Sequence, residues 1–198
     1  MKKLISLASA LVFFAATQAQ AAADKYTYDT LHTQILFSVN HMGFTYSHGR
    51  FNKFDGGFIL DEQKPEASSA NITIDVNSLD MASAVWNDHV KEKFLEPAKY
   101  PTISFKSTGI KRTGDKTATM TGDLTMHGVT KPVTLNVALN KIGLNPMIKS
   151  QKDAGFSITG SLKRSDFGMT AFIPMVGDEI ALDIQVDGVR QDFNKLNK

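Results

Sequence analysis

An all-β fold, either a sandwich or a closed barrel, is predicted for this chain, with one short helix as its interruption. Three observations carry that expectation. Apolar and polar residues alternate at period two along most of the chain, the signature of half-buried strands. Turn chemistry separates many of the runs, at Asp55-Gly56-Gly57, Gly114-Asp115, His127-Gly128 and Asn145-Pro146. Numerous strands with one apolar face each bury those faces by packing two sheets together or by closing one sheet on itself.

The first element is an address tag. Met1-Lys2-Lys3 is positive, and Leu4 to Ala16 is apolar except for Ser6 and Ser9. Ala19-Gln20-Ala21 then offers small residues where a signal peptidase reads. This is the tripartite secretory pattern, and it predicts a cleaved leader over residues 1–21 and a periplasmic destination. The apolar run is shorter than the roughly 20 residues that span a bilayer. The chain has no cysteine, so the fold must hold without disulfides.

The strands follow. Tyr26 and Tyr28 are expected to pair with the stretch from Phe51 to Leu60. Ile35, Phe37, Val39 and His41 share one face of the next run. Further apolar faces are Ala70-Ile72-Ile74-Val76, Ile103-Phe105, and Ala118-Met120-Gly122-Leu124-Met126. The last are Val133-Leu135-Val137-Leu139, Phe156-Ile158-Gly160-Leu162 and Ile180-Leu182-Ile184-Val186. Between them, Val85 to Leu95 reads as the helix, with Val85, Trp86, Val90, Phe94 and Leu95 as its apolar stripe. Pro97 and Pro101 stop it. One domain is expected over residues 24–190, followed by a polar tail at 191–198 in which Phe193 and Leu196 can dock.

Charge narrows the function. The chain has 22 basic and 20 acidic side chains, and without Lys2 and Lys3 the balance is 20 to 20. A neutral surface speaks against nucleic acid and against a polybasic grip on anionic lipid. No stable membrane insertion is expected. The five histidines, His32, His41, His48, His89 and His127, show no metal-ligand spacing. No nucleophile elbow or phosphate-binding loop is present. Asp88-His89 reads as a surface or capping pair, because adjacent helical residues do not face each other. No catalytic residues, no metal and no cofactor are therefore expected.

About eight strands enclose an interior that is either just filled or holds one small ligand. Bulky inward residues (Phe37, Phe105, Phe156) mix here with small ones (Ala70, Ala118, Gly122, Gly160). The small residues either leave room or mark bends where strands curl, so pattern alone leaves both outcomes open. Two polar groups continue apolar faces. His41 extends the Ile35 series, and Arg164 shares the parity of Leu162, with Asp166 expected as its ion partner. Arg50 is expected to be a rim charge.

Four stretches together resemble the YceI-like family of secreted bacterial proteins. They are Ile35-Leu36-Phe37-Ser38-Val39-Asn40-His41-Met42-Gly43 with Gly49-Arg50-Phe51 and Phe54-Asp55-Gly56; Trp86-Asn87-Asp88-His89-Val90 with Tyr100-Pro101-Thr102-Ile103-Ser104-Phe105-Lys106-Ser107; Gly122 to Val133, centred on Thr125-Met126-His127-Gly128; and Lys163-Arg164-Ser165-Asp166-Phe167-Gly168-Met169. Their order and spacing fit nearly the whole chain after the leader. The resemblance implies a lipocalin-like antiparallel barrel of about eight strands that binds polyisoprenoid or similar long-chain amphiphiles, with no catalytic centre and no metal. One departure is that Lys93 stands where an acid is common, in a lead-in that looks one residue short.

The leading expectation is a periplasmic carrier of an isoprenoid chain, a quinone tail or a prenyl phosphate. The expected wall residues are Phe37, Val39, Ile72, Ile74, Phe105, Met120, Phe156, Ile158 and Leu182, with His41 and Arg164 at the headgroup. A barrel edge or mouth leaves room for a homodimer. Two other classes are alternatives: a small outer-membrane barrel, with the apolar faces outward, and a secreted enzyme using His41 or His89 on an isoprenoid.

Overall fold

A computed structural model describes residues 23–191. The expected leader at 1–21 and the tail from residue 192 lie outside the described residues. The strands are β1 Asp24–Tyr28, β2 Gln34–His41, β3 Thr45–Phe51, β4 Phe54–Leu60, β5 Ser69–Asp75, β6 Leu79–Asp80, β7 Thr102–Arg112, β8 Thr117–Met126, β9 Val129–Leu144, β10 Lys152–Lys163 and β11 Val176–Arg190. Helix α1 spans Ala84–Val90 and runs on into a wider turn at Lys91–Leu95.

Eight of these strands close a barrel, in the order β1-β4-β5-β7-β8-β9-β10-β11 and back to β1. Every pairing is antiparallel. The long strand β11 makes the closure: Gly188 to Arg190 pair with β1, whereas Val176 to Gln185 pair with β2. The hairpin β2–β3, with β6 beyond it, thus continues the wall beside the upper half of β11. The expected barrel and its single helix are borne out.

Two local expectations are corrected. The stretch from Phe51 to Leu60 does pair with β1, Tyr26 opposite Phe58, but only through β4; Phe51 belongs to β3, which the apolar alternation does not predict. Asp55-Gly56-Gly57 is not a turn but lies inside β4. A side chain at Gly56 or Gly57 would run into the backbone of Asn71 or Tyr26, so these glycines permit close strand approach.

The inward faces form two clusters. The larger joins Ile35, Phe51, Ile74, Ile103, Phe105, Met120, Leu124 and Leu135 with Phe167 and Met169. The smaller is a plug at one end: Tyr26, Phe58 and Ala154 are buried, with Phe156 packed against them. Tyr26 and Phe58 stack at 4.8 Å, and Phe156 meets Phe58 edge-on at 5.6 Å. Outward positions carry charge, with Lys106, Asp123 and Asp183 exposed. Apolar inside and charged outside is the reverse of a lipid-embedded barrel. No helix among the described residues is long and apolar enough to cross a membrane.

Candidate functional site: a lidded apolar cavity

Above the plug the barrel is hollow. The cavity holds ≈ 470 Å³, within the range of about 300–1,000 Å³ usual for ligand sites. Its wall is contributed by the alternating faces of nearly every strand. Phe37, Val39, Ile72, Ile74, Phe105, Met120, Ile158 and Leu182 all line it. Phe37, Val39, Ile158 and Leu182 are only half-buried although they point inward, because their uncovered surface faces the hollow.

The inward glycines are not what makes the hollow. A methyl group at Gly122 would collide with the Phe105 ring, and one at Gly160 would reach Leu135. These positions are seats for neighbouring side chains. The empty volume comes instead from the circumference of the barrel, which medium-sized Ile, Leu and Val residues do not fill.

The lid is the helical segment. Ser83 is extended and starts it, and Glu96 in a left-handed conformation (φ 46°) ends it just before Pro97. The Asn87 carboxamide oxygen accepts the Met81 N–H at 2.6 Å and ties the helix to the chain leading into it. Trp86, Val90 and Phe94 recur at four-residue spacing, so one face of the helix covers the cavity. Rings lock this face to the rim: Trp86 lies 5.8 Å from His41, and Phe94 lies 5.9 Å from Phe172 on the β10–β11 loop.

The polar residues gather at this mouth. His41 lies on the cavity wall, and its ring makes no hydrogen bond to any described residue. His89 also lines the cavity and stacks on Phe172 at 6.1 Å. It is exposed, as its place beside Asp88 suggested, and it also borders the mouth. Arg164 is 3% exposed and reaches the cavity from the turn after β10. Its Nε donates to the Gly177 carbonyl at 2.8 Å, Nη1 to Met169 at 2.6 Å and Nη2 to Val176 at 2.9 Å. The Phe94 ring lies 5.1 Å from the guanidinium carbon. Burial lowers the Arg164 pKa, and the nearby Asp178 opposes that shift.

Asp166 is exposed and is not the partner of Arg164, because residues 164–167 turn into a short 3-10 helix that ends the strand parity. The acid on that side is Asp178, which accepts the Ser165 N–H at 2.9 Å and the Ser165 hydroxyl at 2.8 Å. These two bonds hold the Asp178 carboxyl below its ordinary range. Three of the five guanidinium N–H groups of Arg164 pin the loop around the mouth, leaving two. Arg50 stands on the outer rim, 3.2 Å from Asp80.

Phe156 does not line the cavity. It shares the face of Ile158 but lies one step lower, in the plug with Phe58. Tyr28 does line the cavity and was not foreseen as a site residue. It sits at the floor, against Phe54 and Phe58, and burial pushes its phenol well above the ordinary value. Its parity with Tyr26 was the available signal. Outside the lining, Asp29, His32 and Asp187 bring ligand-type atoms within 4.8 Å of one another. Asp29 already accepts the Leu31 N–H at 2.8 Å and faces the His32 ring at 2.7 Å.

Comparison with known proteins places this geometry. The YceI-like domain model matches residues 26–187. A UPF0312 protein of Pseudomonas putida is 40% identical over 191 residues, 96% of this chain and 98% of that protein. The crystal structure of BcnA from Burkholderia cenocepacia superposes with a TM-score of 0.73 at 25% identity, covering 81% of this chain and 98% of that one. A polyisoprenoid binding domain from Saccharophagus degradans, implicated in plant cell wall breakdown, shares the fold with a TM-score of 0.62 at 17% identity, covering 85% and 99%.

Proposed function

Because this chain belongs to the YceI-like family and closes its barrel over an apolar hollow, we propose that it binds one long-chain lipid of the polyisoprenoid class. The observation that carries this reading is the wall, which is overwhelmingly apolar from the floor to the lid, with its imidazole and guanidinium groups gathered at the mouth. The name of the Saccharophagus domain points to the same ligand class. Burial of each CH₂ is worth about 0.8 kcal/mol, so a chain of several isoprene units supplies ample driving force once its ordering entropy is met.

In this reading the chain of the ligand runs along Phe37, Val39, Ile72, Ile74, Phe105, Met120, Ile158 and Leu182. A headgroup, quinone or phosphate, meets the unpaired His41 ring and the two remaining N–H groups of Arg164. The protein carries or sequesters the lipid without transforming it. The secretory pattern over residues 1–21 supports the periplasm as its place of work.

Organic extraction of freshly purified protein, followed by mass spectrometry, tests the proposal. Recovery of stoichiometric prenyl lipid is expected, as is saturable rebinding of an added polyprenyl phosphate. Lipid-free extracts together with no saturable binding would overturn it.

A further inference from the structure

The cavity is polar at both ends. Below the mouth its wall is apolar down to Tyr28 at the floor, where β1 ends opposite Gly188 of β11. The phenol ring is wedged against Phe54 and Phe58, at 6.2 and 5.9 Å. Its hydroxyl makes no hydrogen bond to any described residue. Unlike the sealed hydroxyl of Tyr26, that of Tyr28 is not closed off, and a bare hydroxyl in an apolar cavity is costly unless something that enters the site pairs with it.

Water is a poor candidate, because a buried water needs two to four polar partners. The other hydroxyl near the floor, Thr33, is already committed. It donates to the Asp187 carbonyl at 3.1 Å and accepts the Asp187 N–H at 3.0 Å. An anion is a poor candidate too. The only lysine or arginine on the lining is Arg164, at the far end. From Ile180 near the mouth to Gly188 at the floor, β11 runs eight residues, or about 26 Å at roughly 3.3 Å per residue.

We infer that Tyr28 is a second polar subsite, which donates a hydrogen bond to a neutral acceptor carried on the buried end of the ligand. Suitable groups are a ketone, an ester carbonyl, a quinone oxygen or an alcohol. The inference rests on the lipid-binding reading and adds a preference to it: a chain bearing oxygen at its leading end is favoured over a plain hydrocarbon tail.

Titration of wild type and Tyr28→Phe with a long-chain methyl ketone and the alkane of equal carbon number tests it. The single tryptophan, Trp86 on the lid, reports binding. Wild type should prefer the ketone by about three- to tenfold, the span of one net hydrogen bond. Tyr28→Phe should lose that preference while binding the alkane at least as well. The wild-type tyrosine absorbance should shift to the red with the ketone and not with the alkane. Equal ketone preference in both proteins, or saturable alkane binding with no preference in wild type, overturns the subsite and leaves the lipid reading intact. Failure of wild type to bind either probe overturns the lipid reading itself, and the subsite with it.

Discussion

His127 holds the lid through Glu96: its Nε2 lies 3.0 Å from the Glu96 carboxylate, while its Nδ1 lies 3.1 Å from the Phe167 carbonyl. Three segments distant in sequence meet at one ring: the β8–β9 turn, the end of the lid and the turn that carries Arg164. Tyr100 packs on the same ring at 4.2 Å. His127 occupies the left-handed region (φ 52°), so asparagine is the substitution that spares the backbone. It shortens the reach and cuts the tie. His127→Asn should cost about 1–2 kcal/mol in urea melts and release a bound fluorescent lipid several-fold faster in stopped flow. Unchanged release would mean that the lid does not gate the cavity from this end.

Filling the hollow separates a binding site from an ordinary core. Leu182 points inward but is only half-buried, since part of its surface faces empty volume. In a close-packed core, a larger residue costs about 1–3 kcal/mol in strain. Here Leu182→Trp should fold with a melting temperature equal to wild type or higher, and should lose at least tenfold in affinity for a long-chain probe. A large drop in melting temperature would show that the volume is not open to a side chain.

Gly122 makes the opposite case. Phe105 occupies the space where its side chain would stand. Gly122→Ala should destabilise the protein by about 1–3 kcal/mol. Gly143→Ala is the control, because the nearest atom to a methyl there is the flexible Lys141 side chain at 3.9 Å. Equal stability of the two variants would disprove the ring-on-glycine packing.

These three cases show what was legible in the sequence. Strand parity reports which face a residue occupies, and it placed Phe37, Ile72, Phe105 and Leu182 on the inner wall. Parity does not report height along the barrel axis, so it predicts Phe156 in the lining although the residue belongs to the plug beside Phe58. Strand β3 was invisible because its inward positions include Ser47 and Gly49, which break the apolar alternation. The Gly49 position is filled from outside the strand, by Phe37 and Met81. The surface position of His89 is legible, but its place at the mouth is not, because its ring partner Phe172 is 83 residues away in sequence, a contact that only closure of the barrel creates. Arg164 was correctly placed inward, but its partners are backbone carbonyls of a loop with no sequence signature.

Acid should loosen the mouth. Both Asp178 oxygens accept bonds from Ser165, first from its N–H and then from its hydroxyl, and these hold the carboxyl below its ordinary value of 3.8. A depressed folded pKa contributes stability that is fully present above the unfolded value and lost as pH falls through the folded one. The contribution should therefore stand at neutral pH and fade below about pH 4. Thermal melts across pH 2.5–7 should show Asp178→Ala less stable than wild type at pH 7, with the gap closing in acid. A gap that persists at the lowest pH would assign the loss to packing instead.

Asp187 behaves in the opposite sense. Burial, then the nearby charges of Asp153 and Asp29, raise its carboxyl above the ordinary 3.8, with His32 opposing. A raised folded pKa means that the protonated form fits the fold better, and this advantage disappears as pH rises through the folded value. At neutral pH the ionised carboxylate therefore weakens the closed end of the barrel. Asn mimics the protonated acid in shape and removes the charge. Asp187→Asn should melt higher than wild type at pH 7, and the two should converge below about pH 3.5, where both side chains are neutral. A lower melting temperature at pH 7 would mean that the carboxylate is needed there, and a titration with divalent cations would then show whether Asp29, His32 and Asp187 share one.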